Sequence, residues 1–319
     1  MAQQLLIANN GKIYVPTVKD GINWTTERKG VPGQLEFELL KDDILDIEEG
    51  NPVSFKVDNT GVFYGFIFIR KNTKNNTVKV TAYDQLRYLK NKSSYIYTNM
   101  RADEVTKMIA NDFRLNIGNL DNTQYTIAKK SESNKSLFDI ILDATDETLQ
   151  YINEMYILYD NFGKLNLTNV ANMKVDIIID EETAQDYDYE TSIDSDTYNR
   201  IKLIFDNKET GKREVYIAQD NNNINKWGVL QYFDTIEEQT NGAVKAQSLL
   251  KLYNQKTRKL QIKKALGDIR VRAGTLIIVN LNLGDVKLQN YMLVEKAKHT
   301  FKNGEHFMDL TLRGQDFIA

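Results

Sequence analysis

Short stretches of strict apolar–polar alternation, each closed by a turn signal, constrain this chain more than any other feature. A side-chain period of two fits a strand with one buried face and does not fit a helix. "QLEFELL" (34–40) puts Leu35, Phe37 and Leu39 on one face. "LLIA" and "KIYV" flank Asn10-Gly11, the pair favoured where both central residues of a hairpin turn take positive φ. "VSFKV" (53–57) and "VFYGFIFIR" (62–70) flank Asp58–Gly61, and "TVKVTAY" (77–83) follows the turn-rich "KNTKNN". The opening segment, to about residue 85, therefore predicts short antiparallel strands packed as a barrel or sandwich.

The period changes after Asn91. "ADEVTKMIANDF" (102–113) spaces Val105, Met108, Ile109 and Phe113 as one face of a helix. Ser136 followed by Asp139 reads as a capping-box-like start, and Leu137, Ile140, Ile141 and Ala144 give the apolar face behind it. "MYILYDNFGKLNLTNV" (155–170) reads as a hairpin turning at Asn161–Gly163. Strand patterns resume at "YNRIKLIFD" (198–206), with a turn at Thr210-Gly211. "NGAVKAQSLLKLY" (241–253) is helical, with Ala246, Leu249, Leu250 and Tyr253 on one face, and alternation fills the remainder.

Two distant stretches share one pattern. Counted from Gly50 and from Gly274, Val53, Phe55 and Val57 match Ile277, Val279 and Leu281. Tyr64 then matches Tyr291, Ile67 matches Val294, and Val80-Thr81 match Leu310-Thr311. Either one β-domain occurs twice, or two unrelated meanders share a common alternation.

Composition narrows the function classes. The 319 residues suggest two or three domains. A net charge of −3 argues against a chain built mainly to hold nucleic acid, and no specific nucleic-acid site is expected. No apolar run is long enough to span a bilayer, and "MAQQLLIANNGKIYV" does not read as a signal peptide. The absence of cysteine excludes disulfides, thiolate catalysis and cysteine-ligated zinc.

Catalytic constellations are not evident. His299 and His306 flank a turn-like "TFKNGE"; the reading is a solvated hairpin pair, since a third metal ligand is lacking. Gly211-Lys212 is followed by Arg213 where a phosphate loop needs Ser or Thr. The acidic run 180–196 offers paired carboxylates such as Asp186 and Asp188, or oxygen ligands for calcium. Its spacing matches no calcium loop, and a hydrated connecting segment is the simpler reading. No catalytic residue, metal or cofactor is expected, and the chain is read as a non-enzyme.

In "VTAYDQLRYLKNK" (80–92) an alternating strand meets Asp84 and becomes a short amphipathic turn. Asp84 is expected to cap that turn, with Leu86 and Leu89 tucked against the barrel end and Arg87, Lys90 and Lys92 in water. The segment is read as a structural cap between barrel and insertion.

This junction resembles the XkdQ/YqbQ family of phage-like tail proteins. The residues that carry the likeness are "FYGFIFIRK" (63–71), "TVKVTAYDQLRYLKNK" (77–92), "ADEVTKMIANDF", "SLFDIILDA" (136–144) and "YDNFGKLNLTN" (159–169). "YNRIKLIFD", "KWGVLQYFD" (226–234) and "AGTLIIVNL" add to it. One departure is Arg101, where a capping Ser or Thr is expected before the helix.

The family is similar to baseplate hubs of contractile tails and related bacteriocins. The resemblance implies two tail-tube-like β-barrel domains flanking a smaller α+β insertion. The expected division is 1–92 for the first barrel, 93–197 for the insertion and 198–319 for the second barrel, elaborated by a helix near 241–254. It also implies a homotrimer forming a pseudo-sixfold ring between tail tube protein and central spike protein, with other baseplate proteins as further partners. Synthesis in a bacterial cytoplasm and assembly into a phage tail or bacteriocin particle follow. A tail-associated cell-wall hydrolase is the alternative, as is a glycan-binding module using Tyr95, Tyr97, Tyr187 and Tyr189.

Overall fold

The protein is described from a computed structural model covering residues 1–42, 44–194, 196–207, 211–236, 241–282 and 287–314. Seven strands build its first part: β1 (Gln3–Asn9), β2 (Lys12–Tyr14), β3 (Val18–Glu27), β4 (Gln34–Leu40), β5 (Pro52–Val57), β6 (Thr60–Asn72) and β7 (Thr77–Tyr83). Asn10 and Gly11 both take positive φ, as the tight β1–β2 hairpin requires. The alternating residues Leu35, Phe37, Leu39, Val53, Phe55, Val78 and Val80 all face one core.

A connecting unit follows. It comprises a 3-10 turn (Gln85–Lys90), β8 (Lys92–Arg101), α1 (Ala102–Asp112), β9 (Ile117–Leu120), β10 (Thr126–Ser136), α2 (Leu137–Ile152), β11 (Tyr156–Asp160) and β12 (Leu165–Asn169). At α2, the Ser136 hydroxyl accepts from the Asp139 amide (3.1 Å) and donates to its carboxylate (2.6 Å). At α1 the helix start lacks a Ser or Thr cap. Instead Glu104 accepts from the Arg101 amide (2.9 Å), and the Arg101 guanidinium makes two hydrogen bonds to Asp103. Both helices bury their apolar faces in this unit's own core.

Strand pairing distributes the rest differently from the expected division. β13 (Lys174–Ile179) and β14 (Asp186–Ser192), read from sequence as insertion, belong to the sheet of the last part, with β18 (Thr257–Leu266), β19 (Leu276–Asn282), β20 (Lys287–Lys302) and β21 (Glu305–Gly314). Between β14 and β18 lies a separate three-stranded sheet, β15 (Arg200–Asn207), β16 (Lys212–Gln219) and β17 (Gln231–Thr235), with α3 (Asn221–Trp227) and α4 (Gly242–Tyr253). The face of α4 carrying Ala246 and Leu249 packs on Ile201 and Leu203 of β15, away from the large sheet's core.

The first and last parts repeat one architecture. The order β3-β4-β7-β6-β5-β1 recurs as β14-β18-β21-β20-β19-β13. Registers coincide as well. Phe66 and Ile67 face Tyr83 and Ala82, a bulge follows, and Ile69 faces Thr81. Leu293 and Val294 face Arg313 and Leu312, a bulge follows, and Lys296 faces Thr311. Gly50, at φ +90°, donates to Ile67 (2.8 Å), and Gly274, at φ +94°, donates to Val294 (2.8 Å). The repeats differ at their outermost strand, since β1 runs antiparallel to β5 while β13 runs parallel to β19.

Neither repeat closes into a barrel among the described residues. The strands form one open thirteen-stranded sheet, because β20 also pairs with β3 and joins the repeats edge to edge. The chain is thus mostly β, and the two closed barrels expected from the resemblance are not formed by its own strand pairing.

Candidate functional site at the inter-repeat junction

The seam between the repeats runs along β20 and β3, from Lys296 opposite Glu27 to Phe301 opposite Ile22. Strand edges supply backbone hydrogen bonds, and side chains lock the register. Arg28 makes a two-pronged ion pair with Glu295 (2.8 and 2.9 Å), and Lys296 reaches Glu27 (3.3 Å). On the inner face Phe301 enters the first repeat's core and meets Phe55 edge-on at 5.1 Å.

Two histidines complete the seam's inner face, and their placement corrects the expectation of solvated side chains. His299 is fully buried and rests on Trp24 (4.8 Å between ring centroids). Its Nε2 lies 2.8 Å from the Val271 carbonyl, which can only accept. Nε2 therefore carries the proton, and Nδ1 accepts from His306 Nε2 at 2.8 Å. Burial, with the neighbouring His306, pushes His299 down to about 3, and burial pushes His306 down to about 4. The pair is a neutral packing element. Among the described residues no group of three or more His, Asp or Glu side chains could hold a metal.

A second polar cluster joins the connecting unit to both repeats. Asp84 occupies the N-cap of the 3-10 turn, where Oδ1 accepts from the Leu86 amide (3.0 Å). Oδ2 accepts from the Gly33 amide (2.9 Å) in the β3–β4 connection, so one carboxylate ties two segments together. Gly33 is required there, since a Cβ would stand 2.3 Å from that oxygen. Gln85 donates to Asp160 (2.9 Å), which also accepts from the Gly163 amide (2.7 Å). Arg272, from the second repeat, lies over the Tyr159 ring at 4.4 Å. Burial, reinforced by Asp160, drives the Asp84 carboxyl well above its usual range. Burial raises Asp160 to about 6, and burial lowers Arg272. Desolvation is the largest cause of the shift at each of these three groups, and their hydrogen bonds fix the backbone around them.

Leu86 and Leu89 pack into the connecting unit's core with Val105, Ile109, Leu137 and Ile141, whereas the barrel end was expected to receive them. A 3-10 turn aims both leucines at the two helices that follow it. Sequence reading missed Gln85, Asp160 and Arg272 as a group. They are far apart in the chain, and no local period links them.

The other candidate residues do not converge. Asp186 and Asp188 are exposed on β14 and share one cation, Lys263, at 3.3 and 3.2 Å. Asp180 instead caps its own turn through Thr183. Gly211 takes a turn conformation (φ +67°), and Arg213 pairs with Asp206; Thr210 lies outside the described residues. Tyr97 is buried, Tyr95 donates to Asp112 (2.8 Å), and Tyr187 and Tyr189 pack on the second repeat's core. The four tyrosines stand on two separate sheets and make no common platform. A cleft of about 150 Å³ where the connecting unit meets both repeats and α4 is lined by Arg28, Asp146, Leu149, Tyr253, Leu293 and Glu295. Among the described residues no helix is long and apolar enough to cross a membrane.

Known proteins resemble this chain in sequence and in fold. The chain is 32% identical to YqbQ of Bacillus subtilis over 307 residues, covering 93% of this chain and 92% of the relative. It is 31% identical over 307 residues to XkdQ of the phage-like element PBSX of Bacillus subtilis, covering 93% of each. Among solved structures, the 43 kDa tail protein of prophage MuSo2 from Shewanella oneidensis superposes with a TM-score of 0.72 at 13% identity, covering 99% of this chain and 100% of that one. That likeness shows the fold to be one found in phage tail proteins. With residues 22–313 matching the family described as YQBQ-like, the chain belongs to that family.

Proposed function

We propose that the chain is a structural baseplate hub of a contractile tail or related injection machine, forming a trimeric ring that joins tail tube to spike. The observation that carries this reading is the duplicated six-strand order, with its two copies already joined edge to edge through β20 and β3. A chain holding two equivalent sheet units offers six of them in three copies. Such a ring meets a sixfold tube on one side and a threefold spike on the other. In this reading each repeat is a tail-tube-like barrel unit, left open in the single chain, and the Asp84, Leu86 and Leu89 turn caps the first repeat against the connecting unit. The working division is 1–84 and 173–192 plus 257–314 for the repeats, with 85–172 and 193–256 as the units between them. The tail tube protein, the spike protein and other baseplate proteins are the partners, and the chain is made in the bacterial cytoplasm and assembled into a phage tail or bacteriocin particle.

The non-enzymatic reading rests on the scattered, ion-paired carboxylates of the acidic run and on the mutual pairing of the two histidines. Cryo-EM of the intact particle tests the proposal. Three copies between tube and spike are expected. Another copy number, or density in sheath or fibre, overturns it, and clearing of peptidoglycan by the purified chain points instead to a tail-borne hydrolase.

A further inference from the structure

The two repeats are equivalent in strand order, but their long strands have different neighbours. β20 pairs with β19 along its first half and with β3 along its second half. Among the described residues, its counterpart β6 pairs with β5 only as far as Phe66, and beyond the Gly50 and Asn51 contacts at Ile67 it pairs only with β7. The counterpart of β3 is β14, which ends the sheet and, among the described residues, pairs only with β18. The seam within the chain therefore occupies one pair of edges, and the equivalent pair is left over on the second half of β6 and on β14.

We infer that β6 of one copy pairs antiparallel with β14 of a second copy, repeating between chains the seam that β20 and β3 make within one. This names the contact for the ring proposed above, and ring closure rests on that reading. The register follows from equivalences already seen. Ile67 corresponds to Val294 and Thr81 to Thr311, so Ile69 and Lys71 correspond to Lys296 and Lys298. Ile22 and Trp24 face Phe37 and Leu35, while Tyr187 and Tyr189 face Ile262 and Leu260. Since Leu35 and Leu260 face Ala82 and Leu312, Tyr189 corresponds to Trp24 and Glu190 to Thr25. Lys298 faces Thr25 in the seam, so Lys71 of one copy faces Glu190 of the next.

Charge supports this placement independently. The free end of β6 and its turn carry Lys71 and Lys74, both exposed and without an acidic partner within 4.0 Å among the described residues. β14 presents Asp186, Asp188 and Glu190 on its exposed face. The seam within the chain shows the same polarity, with Lys296 of β20 paired to Glu27 of β3. An exposed edge with unpaired N–H and C=O groups invites a partner strand, and opposite charges select which one. The contact is head-to-tail, so successive copies close into a ring when their rotations sum to a full turn.

The chain lacks cysteine, which makes a cross-linking test clean. Full-length Lys71→Cys/Glu190→Cys protein is oxidised, both as purified chain and in assembled particles, beside each single variant and a Lys71→Cys/Thr191→Cys pair whose second side chain lies on the opposite face. A disulfide-linked ladder specific to the 71/190 pair is expected. In parallel, Lys71→Glu and Glu190→Lys should each raise the concentration for half-assembly at least tenfold, and the double swap should restore it. No ladder above the controls in either setting, or no rescue by the swap, overturns the pairing. A specific ladder that closes at a number other than three supports the pairing and refutes the trimeric hub. A trimer in the particle without the cross-link refutes the pairing and leaves the hub standing.

Discussion

Replacing Gly50 and Gly274 with alanine separates two energies that the repeat happens to isolate. Both glycines have nearly the same φ (+90° and +94°) and donate the equivalent hydrogen bond, so an added Cβ meets the same backbone penalty at each site. That penalty is about 1–2 kcal/mol for a non-glycine residue held in left-handed space. At Gly50 the added Cβ meets nothing within 4 Å, and the penalty stands alone. At Gly274 it would stand 2.3 Å from Cγ2 of Ile157, a fully buried residue of β11 packed with Met155, Met173 and Leu276. Overpacking there adds about 1–3 kcal/mol. Gly50→Ala is thus expected to cost about 1–2 kcal/mol and Gly274→Ala about 2–5 kcal/mol. Ile157→Ala alone leaves a cavity worth about 2–5 kcal/mol, yet it removes the clashing methyl. The double variant Gly274→Ala/Ile157→Ala should therefore be more stable than the sum of its parts by the steric share, about 1–3 kcal/mol. Urea unfolding followed by tryptophan fluorescence reads these differences, since Trp24 sits beside the seam. Equal losses at the two glycines, or strict additivity with Ile157→Ala, would refute the reasoning.

Two further outcomes follow from the buried polar groups. Asp84→Ala strips acceptors from the Gly33 and Leu86 amides and should cost about 2–4 kcal/mol, with faster hydrogen exchange at both amides; Asp84→Asn keeps one acceptor and should lose less. Acid acts on the histidines and on Asp160 with opposite sign. His299 titrates near 3 folded and near 6.5 unfolded, so the unfolded chain binds more protons below pH 6.5, and about 2 kcal/mol of stability is lost at His299 between pH 7 and 5. Asp160 titrates near 6 folded and near 3.8 unfolded, so the folded chain takes up its proton first and regains about 1 kcal/mol over the same interval. Asp160→Asn should consequently steepen the acid loss and His299→Gln should flatten it; parallel pH–stability curves for these variants and the parent chain would contradict both assignments.

Much of the β architecture was legible because a strand with one buried face writes its period directly into sequence. Leu35, Phe37 and Leu39 are one example, and the match of Tyr64 with Tyr291 and Ile67 with Val294 holds in the register of both repeats. Helix faces were equally plain, with Ser136 and Asp139 marking the start of α2. Alternation does not say which sheet a strand joins. The patterns at 174–192 and at 198–206 look alike, yet the first pairs with β18 and β19 and the second with β16 and β17. Burial of polar residues was illegible for a related reason. His299 lies at an inward position of β20, but its enclosure depends on Trp24, which is distant in sequence. The Asp84, Asp160 and Arg272 cluster likewise draws on three units that no local window spans.

The departures between the repeats explain why a duplicated chain can be both regular and specialised. β3 reaches β4 across residues 28–33, whereas the equivalent step from β14 to β18 spans residues 193–256 and holds a complete small sheet with α4. The other large change is the reversed direction of β13 relative to β1, two strands away from β20 in the second repeat. Neither alteration touches the edges at which the repeats meet. A sheet edge tolerates no shift of register by one residue, because that would turn every inward side chain outward. Connections that run over the surface carry no such constraint and accept insertions readily. The added units nonetheless dock beside the seam: Lys29 reaches Asp146 of α2 at 3.1 Å, next to the Arg28–Glu295 pair. The short β3–β4 connection is thus held by α2 at the point where the two repeats are joined. Along the free half of β6, Arg70 pairs with Glu49 (3.8 Å) inside the chain, and Lys71 beyond it is the residue that the inferred pairing gives to a second copy.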